Sequence, residues 1–235
     1  NFLQGYGLTE CSPIVALNRD VDFKDDAAGI ALTNLKVVIE NKNSEGIGEI
    51  IVKGPSVMLG YYENEEANQE AFSNGWFKTG DLGIIDEEGY IKITGRAKSM
   101  IVLANGKKAF PEEFEVLLNK IPGVKDSFVW GNKTPDGDVE ICAKLVVDEE
   151  YVSQLEKNSS DSVQSKLSEH FNNAIKVINK NIPKYKMIRY FILTKEDLTK
   201  TTTLKIKRHI EYEKTMEKLN KLKIDMRKAS GMFID

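Results

Sequence analysis

The sequence predicts an α+β protein of two units, in which a small antiparallel β-barrel or sheet precedes a mixed α+β domain. Residues 30–95 show short β-rich runs separated by turns. After Arg96 the pattern changes to strands that alternate with longer helical segments. Charge divides at the same point, because residues 1–97 carry 8 Lys+Arg and 16 Asp+Glu while residues 98–235 carry 25 and 20. We therefore expect one domain over 1–97 and a second over 98–235.

The first unit is expected to be built mainly from two hairpins. One pairs β-rich residues 35–40 with 47–53 across a polar turn, and the other pairs 82–85 with 90–94 across Asp86-Glu87-Glu88-Gly89. A short helix is predicted between them, over 65–72.

The second unit is expected to mix strands and helices. Pro111 is suited to open a helix, since its missing N–H has no partner there, and the following glutamates favour the positive helix end. A longer helix is indicated by apolar side chains at steps of three and four: Val163, Leu167, Phe171, Ile175, Ile178 and Ile182. Strands are predicted over 100–104, 124–130, 139–147 and 188–193, a last helix over about 206–226, and a polar, Ser-rich, mobile surface insertion over 152–162.

Composition excludes several classes of protein. The chain has 235 residues, of which 41% are hydrophobic and 29% charged, as in ordinary globular proteins. No run approaches the ~18 apolar residues of a membrane span, so only peripheral membrane association stays open. A net charge of −3 gives no general electrostatic case for nucleic acid. Two distant cysteines and two histidines make no disulfide framework or metal knuckle, so the default compartment is the cytoplasm. The oligomeric state is not set by the sequence.

The first chemical motif is Gly5-Tyr6-Gly7-Leu8-Thr9-Glu10. Gly5 and Gly7 allow a loop to approach a ligand closely, and Tyr6 offers a flat face for a purine base. Thr9 offers a hydroxyl to a phosphate, and Glu10 offers a hard oxygen to Mg²⁺. A turn between strands with a solvated glutamate is an equally good interpretation of the hexapeptide alone.

Two further motifs lie at the end of the first unit. In Thr79-Gly80-Asp81, an aspartate on a tight turn could accept both hydroxyls of a ribose. For the tripeptide alone, a strand-terminating turn with the aspartate as its local cap is the better interpretation. In Gly95-Arg96-Ala97-Lys98, the planar fork of Arg96 could reach a ribose or phosphate, and a surface arginine in a hairpin is the alternative.

The fourth motif is the basic run Thr199-Lys200-Thr201-Thr202-Thr203-Leu204-Lys205-Ile206-Lys207-Arg208. Three consecutive threonines favour a loop over a helix. A lysine in such a loop is a mobile point charge suited to a phosphate or a carboxylate. On composition alone, a solvated basic loop is the better interpretation.

Taken together, the four motifs in this order and spacing resemble the adenylate-forming superfamily, which contains acyl-CoA synthetases, luciferases and nonribosomal-peptide adenylation domains. The resemblance extends from Gly5 to Arg208. Residues 4–10 and 101–113 are most similar to the bacterial long-chain fatty-acid CoA ligases. The implied fold is the end of a large N-terminal domain with a β-barrel-like subdomain, followed by a small mobile C-terminal domain.

The resemblance implies a role for each matching residue. It implies ATP or AMP, Mg²⁺ and coenzyme A as cofactors, with a fatty acid as the other small-molecule substrate. Residues at the nucleotide would be Gly5, Tyr6 (adenine), Gly7, Thr9 (phosphate), Glu10 (Mg²⁺), Asp81 (ribose), Ile93 and Arg96. Lys98 would be the hinge of the mobile domain, and Gly106 would line the channel of the CoA thiol. Lys205 would bridge the acyl carboxylate and the α-phosphate.

The lysine motif departs from the family pattern at two positions. The family usually has Pro where Thr199 stands and Gly where Leu204 stands. Because a β-carbon disfavours the left-handed conformation, we expect the loop to take another shape at Leu204. Lys200 is then the fallback for the role of Lys205.

The chain also lacks the family's Ser/Thr/Gly-rich phosphate loop, and it starts at Asn1 without methionine. We therefore expect a C-terminal part of an AMP-forming acid–thiol ligase that is inactive alone. Two alternatives remain: an acyl-AMP ligase that loads a carrier protein, and a non-catalytic nucleotide-binding or interaction module. The identity of the acyl chain is not in the sequence.

Overall fold

A computed structural model of the chain describes residues 3–104, 106–157 and 163–235. These residues form two compact units, Asn1–Lys98 and Ser99–Asp235. Each unit has its own hydrophobic core. The class is α+β with antiparallel sheets, as the sequence predicts, and within the described ranges the larger sheet of the first unit is open rather than a closed barrel.

The first unit contains two antiparallel sheets. The smaller one has the order β1-β2-β3, with β1 Gly5–Gly7, β2 Ile14–Leu17 and β3 Ile30–Ala31. The larger one has the order β4-β5-β7-β6, with β8 also paired to β7. Its elements are β4 Lys36–Glu40, β5 Gly48–Lys53, β6 Phe72–Ser73, β7 Trp76–Ile85 and β8 Ile91–Arg96, with helix α1 at Glu65–Ala71.

Both expected hairpins of the first unit are present. The turn between β7 and β8 is closed by Asp86, whose carboxylate accepts the N–H of Tyr90 at 2.9 Å and of Glu88 at 3.1 Å. Gly89 has φ 86°, a conformation that only glycine adopts easily.

Strand β7 begins earlier than expected and runs through Thr79-Gly80-Asp81. The prediction that Asp81 sits on a tight turn at a strand end is therefore wrong. Gly80 has φ 71°, and the register of β7 against β5 shifts between the pairs made by Glu49 and Ile51. A β-bulge thus places Asp81 inside the sheet.

The second unit contains a two-stranded antiparallel sheet, residues 101–102 with 108–109, and a three-stranded sheet with helices on both faces. The order is β11-β12-β13, antiparallel between the first pair and parallel between the second. Its elements are β9 Ile101–Val102, β10 Lys108–Ala109, α2 Pro111–Leu118, β11 Val124–Lys133, β12 Val139–Val147, α3 Glu149–Lys157, α4 Val163–Lys180, β13 Ile188–Thr194, α5 Arg208–Leu222 and α6 Met226–Ala229.

Strand β12 is buried on both sides over 141–147, which explains why its residues there are apolar except for Lys144. Ile141, Ala143 and Leu145 face the core built with α2 to α4. Cys142 and Val146 face the core built with α5 and α6. Lys144 lies between these two in the strand and is 2% exposed.

Several predicted boundaries differ from the structure. The Ser-rich segment expected as a mobile insertion is helical up to residue 157, where α3 packs Val152 against the core, so that prediction is wrong there; residues 158–162 lie outside the described residues. The expected strand over 100–104 is only Ile101–Val102. Helix α5 ends before residue 226 because Lys223 turns left-handed, with φ 54°.

Candidate active site

Two of the expected nucleotide-binding residues, Tyr6 and Arg96, contact the buried carboxylate of a third, Asp81. Tyr6 donates its hydroxyl hydrogen bond to Asp81 Oδ2 at 2.7 Å. Arg96 Nε lies 2.9 Å from Asp81 Oδ1. Asp81 is 5% exposed, whereas half of the Arg96 side chain faces solvent. The first unit by itself therefore assembles a phenol, a carboxylate and a guanidinium in direct contact.

The local backbone explains why these three groups meet. Asp81 and Arg96 are paired residues on β7 and β8, so their side chains emerge from the same face of the sheet. The Asp81 N–H donates to Thr79 Oγ1 at 3.0 Å, and the Thr79 hydroxyl donates to the Ile50 carbonyl at 2.7 Å. These bonds fix the strand around the bulge.

Tyr6 is placed by the close approach of two chain segments. Strand β1 pairs with β2, and a β-carbon on Gly7 would lie 2.0 Å from the Pro13 carbonyl oxygen. Gly7 is thus required by backbone packing, whatever ligand the loop binds. Burial, and then the charge of Asp81, raises the pKa of Tyr6 far above its ordinary value. The phenol therefore remains a hydrogen-bond donor at neutral pH.

The hydrogen bonds to Asp81 leave acceptor capacity on its carboxylate. Each of its two oxygens has two lone-pair directions, and Tyr6 and Arg96 use one on each oxygen. The remaining directions are the acceptors that the two hydroxyls of a vicinal diol would require. Arg96 adds an exposed positive group beside that position.

Thr9 and Glu10 lie on a short 3₁₀ turn, Thr9–Cys11, directly after β1. The Glu10 carbonyl accepts the N–H of Met58 at 2.8 Å, and its Oε1 accepts the hydroxyl of Tyr61 at 3.0 Å. Tyr61 is not among the residues that the sequence predicts for the site, because nothing in the order of residues indicates that it lies beside Glu10. The only local feature that marks Tyr61 is that it is an aromatic residue directly after a glycine, Gly60.

The carboxylate of Glu10 is suited to a magnesium ion that a nucleotide also binds. Mg²⁺ commonly takes one or two protein carboxylates together with substrate phosphates. Tyr61 bonds one oxygen of Glu10, and within the described ranges no hydrogen bond reaches the other. The donor chemistry therefore fits the implied ion.

Two other residues of the first unit were predicted to act in the site, Ile93 near the nucleotide and Lys98 as the hinge. Ile93 lies on β8 opposite Gly83 and is 40% exposed. Lys98 lies in a 3₁₀ turn, Ala97–Ser99, with its side chain exposed. The structure gives Lys98 the last position of the first unit.

In the second unit, Gly106 lies in the turn between β9 and β10. Its N–H donates to the Leu103 carbonyl at 2.8 Å, and its φ is 74°. A β-carbon there would meet nothing within 4 Å, so conformation rather than crowding favours glycine.

Lys205 lies on a short hairpin, residues 199–207, which we call the lysine hairpin. The Thr201 N–H donates to the Lys205 carbonyl at 2.8 Å, the Leu204 N–H donates to the Thr201 carbonyl at 3.0 Å, and Lys200 pairs with Ile206. The prediction that Leu204 would change the shape of this loop is wrong. Leu204 adopts the left-handed conformation, with φ 61°, and its side chain is 77% exposed. The hairpin therefore accepts the strain.

The two candidate lysines differ in their surroundings. Lys200 Nζ forms an ion pair with Asp126 Oδ2 at 2.5 Å. Lys205 is exposed, and no carboxylate in the described part of the chain pairs with it. An uncommitted ammonium group is the better candidate for an incoming anion, which favours Lys205 over the fallback.

The chain is similar to known proteins over both units. Residues 1–62 match the family described as AMP-binding enzyme, and residues 98–223 match the AMP-binding enzyme C-terminal domain. Over 225 residues, or 90% of this chain, it is 33% identical to the long-chain-fatty-acid–CoA ligase FadD15 of Mycobacterium bovis. Over 151 residues, or 62% of the chain, it is 39% identical to a long-chain-fatty-acid–CoA ligase of Escherichia coli O6:H1.

A second kind of relative is equally similar. A 2-succinylbenzoate–CoA ligase of Bacillus velezensis is 43% identical over 138 residues, or 56% of this chain. The aligned parts span only 26%, 36% and 28% of the E. coli, M. bovis and B. velezensis relatives.

Solved structures agree in fold. The o-succinylbenzoate coenzyme A synthetase of Bacillus subtilis in complex with AMP matches 88% of this chain and 40% of its own, with a TM-score of 0.70 and 28% identity. The same synthetase in complex with ATP and magnesium ion gives a TM-score of 0.69. No helix in the described ranges is long and apolar enough to cross a membrane.

Proposed function

Because this chain belongs to the AMP-binding enzyme family, we propose that the whole protein is an acid–thiol ligase that joins a fatty acid to coenzyme A with conversion of ATP to AMP. The observation that carries this proposal is the contact of Tyr6, Asp81 and Arg96, next to the turn that bears Thr9 and Glu10. A buried carboxylate with spare acceptor directions beside an exposed guanidinium suits a ribose followed by a phosphate.

Each side chain then has a defined task in holding the nucleotide. Asp81 accepts the two ribose hydroxyls, and Arg96 contacts the ribose or the phosphate. Tyr6, held through its hydroxyl, presents its ring to adenine, while Ile93 packs near the nucleotide. The Thr9 hydroxyl binds the α-phosphate. Gly5 and Gly7 keep strand β1 close enough for these contacts.

Glu10 would hold Mg²⁺ together with the nucleotide phosphates. When bound, the ion neutralises negative charge on the phosphate oxygens. Tyr61 and Met58 hold the side chain and the backbone of Glu10, respectively, before any ligand arrives.

The reaction proceeds in two steps. In the first, a carboxylate oxygen of the fatty acid attacks the α-phosphorus of ATP, and the bond to the pyrophosphate oxygen breaks. The ammonium group of Lys205 stabilises the charge that develops between the carboxylate and the α-phosphate. In the second, the CoA sulfur attacks the acyl carbon and AMP leaves, while the thiol proton passes to a base or to solvent.

Residues 98–235 would move relative to the preceding domain between the two steps. Lys98 would be the hinge, because it follows the last strand of the first unit and is exposed. Gly106 would then line the channel for the CoA thiol. We propose that residues 1–97 are the end of a large N-terminal domain and that the 235 residues alone are inactive, since the family's upstream phosphate loop is not among them.

The fatty-acid substrate is proposed from the relative that matches 90% of this chain. The similarity to a 2-succinylbenzoate–CoA ligase makes succinylbenzoate the alternative carboxylate substrate for the same reaction. We place the protein in the cytoplasm, where reducing conditions suit its two free cysteines.

The test is an assay of the full-length gene product for AMP and pyrophosphate release with a panel of carboxylates and CoA. We expect release that depends on both ATP and a long-chain fatty acid, with formation of acyl-CoA. Release with succinylbenzoate alone would overturn the substrate, and transfer to a carrier protein but not to CoA would overturn the acceptor. Nucleotide binding with no turnover on any carboxylate would overturn the enzymatic function.

A further inference from the structure

The base of the lysine hairpin is held by a buried carboxylate. The Thr199 N–H donates to Glu211 Oε1 at 2.6 Å. The other oxygen of Glu211, Oε2, accepts a hydrogen bond from Lys144 Nζ at 3.2 Å. Glu211 is 1% exposed and lies one turn into α5, directly after the hairpin. One carboxylate therefore joins the sheet, through Lys144, to the first residue of the hairpin.

Stability alone does not explain this ion pair. Lys144 occupies a face of β12 that otherwise holds Cys142 and Val146, so both charges have lost their water. The cost of removing two charges from water commonly equals or exceeds their attraction, and apolar replacements of such pairs are often neutral or stabilising. A function in fixing the geometry of the hairpin accounts for the pair better.

Thr199 is the residue at which the two arms of the hairpin meet. Its carbonyl accepts the N–H of Lys207 at 2.9 Å, and its hydroxyl accepts a hydrogen bond from Lys214 at 2.7 Å. A shift of Thr199 would therefore move both arms, and with them Lys205. Glu211 bonds the one backbone group of Thr199 that the hairpin itself leaves without a partner.

We propose that Glu211 is a positioning residue for Lys205: held by Lys144, its carboxylate fixes the N–H of Thr199 and so sets where the hairpin presents the lysine. This inference rests on the proposed function, since it needs Lys205 to act in the first step. Glu211 supplies by a hydrogen bond the restraint that a proline at position 199 would supply through its ring, which fixes φ and carries no N–H.

Two double variants of the full-length protein separate the hydrogen bond from the charge. Lys144→Met with Glu211→Gln removes both charges but keeps an amide oxygen for the Thr199 N–H. Lys144→Met with Glu211→Leu removes both charges and the acceptor. Neither leaves an unpaired buried charge, so both are expected to fold. Pyrophosphate formation measures the first step, and thioester formation from supplied acyl-AMP measures the second.

We expect the Leu variant to lose about tenfold or more of kcat in the first step, since displacement of a reacting group by about 1 Å can cost ~100-fold. The second step should be unchanged, and amide hydrogen exchange over 199–207 should accelerate. The Gln variant should retain most of the first-step rate. Adding Thr199→Pro to the Leu variant should restore that rate, because proline needs no acceptor.

Glu217→Gln is the matched control, since Glu217 lies on the same helix and, among the described residues, its carboxylate pairs with Lys221 at 2.7 Å and with no residue of the hairpin. Equal first-step rates in the Gln and Leu variants would overturn the proposal, as would equal slowing of both steps or a failure of Thr199→Pro to restore the rate.

Lys205→Ala distinguishes the proposed role of Lys205 in the first step from the proposed role of Glu211 in positioning it. If Lys205→Ala leaves the first step unchanged, the proposed role of Lys205 is wrong and that of Glu211 falls with it. If Lys205→Ala abolishes the first step while the Leu variant does not, only the proposal for Glu211 is wrong.

Discussion

Asp81 is the residue through which the first unit would recognise a nucleotide. Its buried carboxylate is shared by a phenol and a guanidinium, and a diol would add two more hydrogen bonds. We expect Asp81→Asn to keep the fold, because an amide has the same shape and can still accept from Arg96. It should weaken AMP binding by about tenfold or more, since hydrogen bonds to a charged group contribute roughly 1.5–3 kcal/mol. Calorimetric titration of the full-length protein with AMP measures this loss.

Asp26→Asn serves as the control for Asp81→Asn. Asp26 is an exposed carboxylate that pairs with Lys92 at 2.6 Å in the same unit. Its loss should leave AMP affinity unchanged. Equal affinities in the wild type and the Asp81 variant would show that this carboxylate is a structural partner of Tyr6 and Arg96 only.

Leu204 carries backbone strain that glycine would relieve. A left-handed conformation costs an L-residue about 1–2 kcal/mol, while glycine adds roughly 0.5–1 kcal/mol of unfolded-state entropy. We therefore expect Leu204→Gly to raise the free energy of unfolding by about 0.5 kcal/mol, as measured by urea denaturation. Leu222→Gly, at an exposed position at the end of α5, should lower it instead. A loss of stability in both variants would contradict the strain at Leu204.

The site could be predicted from the sequence residue by residue only where a motif carried it. Tyr6, Asp81 and Arg96 were singled out, and the structure brings them together, although the motifs do not indicate that one carboxylate joins them. Tyr61 and Glu211 could not be found, because their contacts with Glu10 and Thr199 arise from folding rather than from local order. The shape at Leu204 was wrongly predicted because hairpin hydrogen bonds outweigh a local preference.

At the scale of elements, α2 and α5 are joined by a partly buried ion pair, in which the guanidinium fork of Arg208 meets Glu115. Arg208 Nη1 and Nη2 donate to the two oxygens of Glu115 at 2.8 and 2.7 Å, and Glu115 also accepts the N–H of Val129 at 2.9 Å. Burial raises the pKa of Glu115, and the hydrogen bond and charge of Arg208 oppose this effect. The carboxylate of Glu115, which is costly to bury, therefore has hydrogen-bond donors on both oxygens at the point where the hairpin joins α5.

We expect Arg208→Lys to lower the free energy of unfolding by about 2 kcal/mol. Lysine keeps the charge but cannot make the two parallel hydrogen bonds, which leaves one buried oxygen of Glu115 poorly satisfied. Urea denaturation of the purified chain checks the value. Arg227→Lys, at an exposed position on α6, should change it by less than about 0.5 kcal/mol. Equal effects at the two sites would mean that the fork contributes nothing.

Elements were predictable where the pattern of side chains was strong and local. The start of α2 followed from Pro111 and its acidic first turn, and the Glu113 carboxylate accepts the Phe110 N–H at 3.0 Å. Helix α3 was missed because its composition is that of a polar linker. Its apolar residues, Tyr151, Val152 and Leu155, pack on the core at helical spacing, so tertiary contacts decide its structure.

At the scale of the molecule, two units with separate cores share one chain. Their opposite charge balance was visible in the sequence. The assignment of residues 98–235 as a mobile domain that turns about Lys98 stays a prediction, because it concerns motion rather than the structure of either unit. Each unit does, however, contain one buried cysteine, whose reactivity can report when that unit unfolds.

Cys11 and Cys142 report on the two units separately. Both are fully buried, and burial raises the pKa of Cys11 to about 11 and that of Cys142 to about 12. Since the thiolate is the reactive form, at pH 8 only about 0.1% and 0.01% of these thiols would be ionised, against roughly a quarter of an ordinary thiol. The folded chain should therefore resist alkylation at both positions.

Denaturant should expose the two thiols at different concentrations. The first unit is the smaller and has the smaller buried cluster, and smaller domains bury a lower fraction of their surface. We expect Cys11 to be alkylated at a lower urea concentration than Cys142, in two steps resolved by peptide mass spectrometry. Cys11→Ser should abolish only the first step and Cys142→Ser only the second. A single common midpoint for both thiols would instead mean that the two units unfold together, because independent cores with different amounts of buried surface have no reason to lose their protection at one urea concentration.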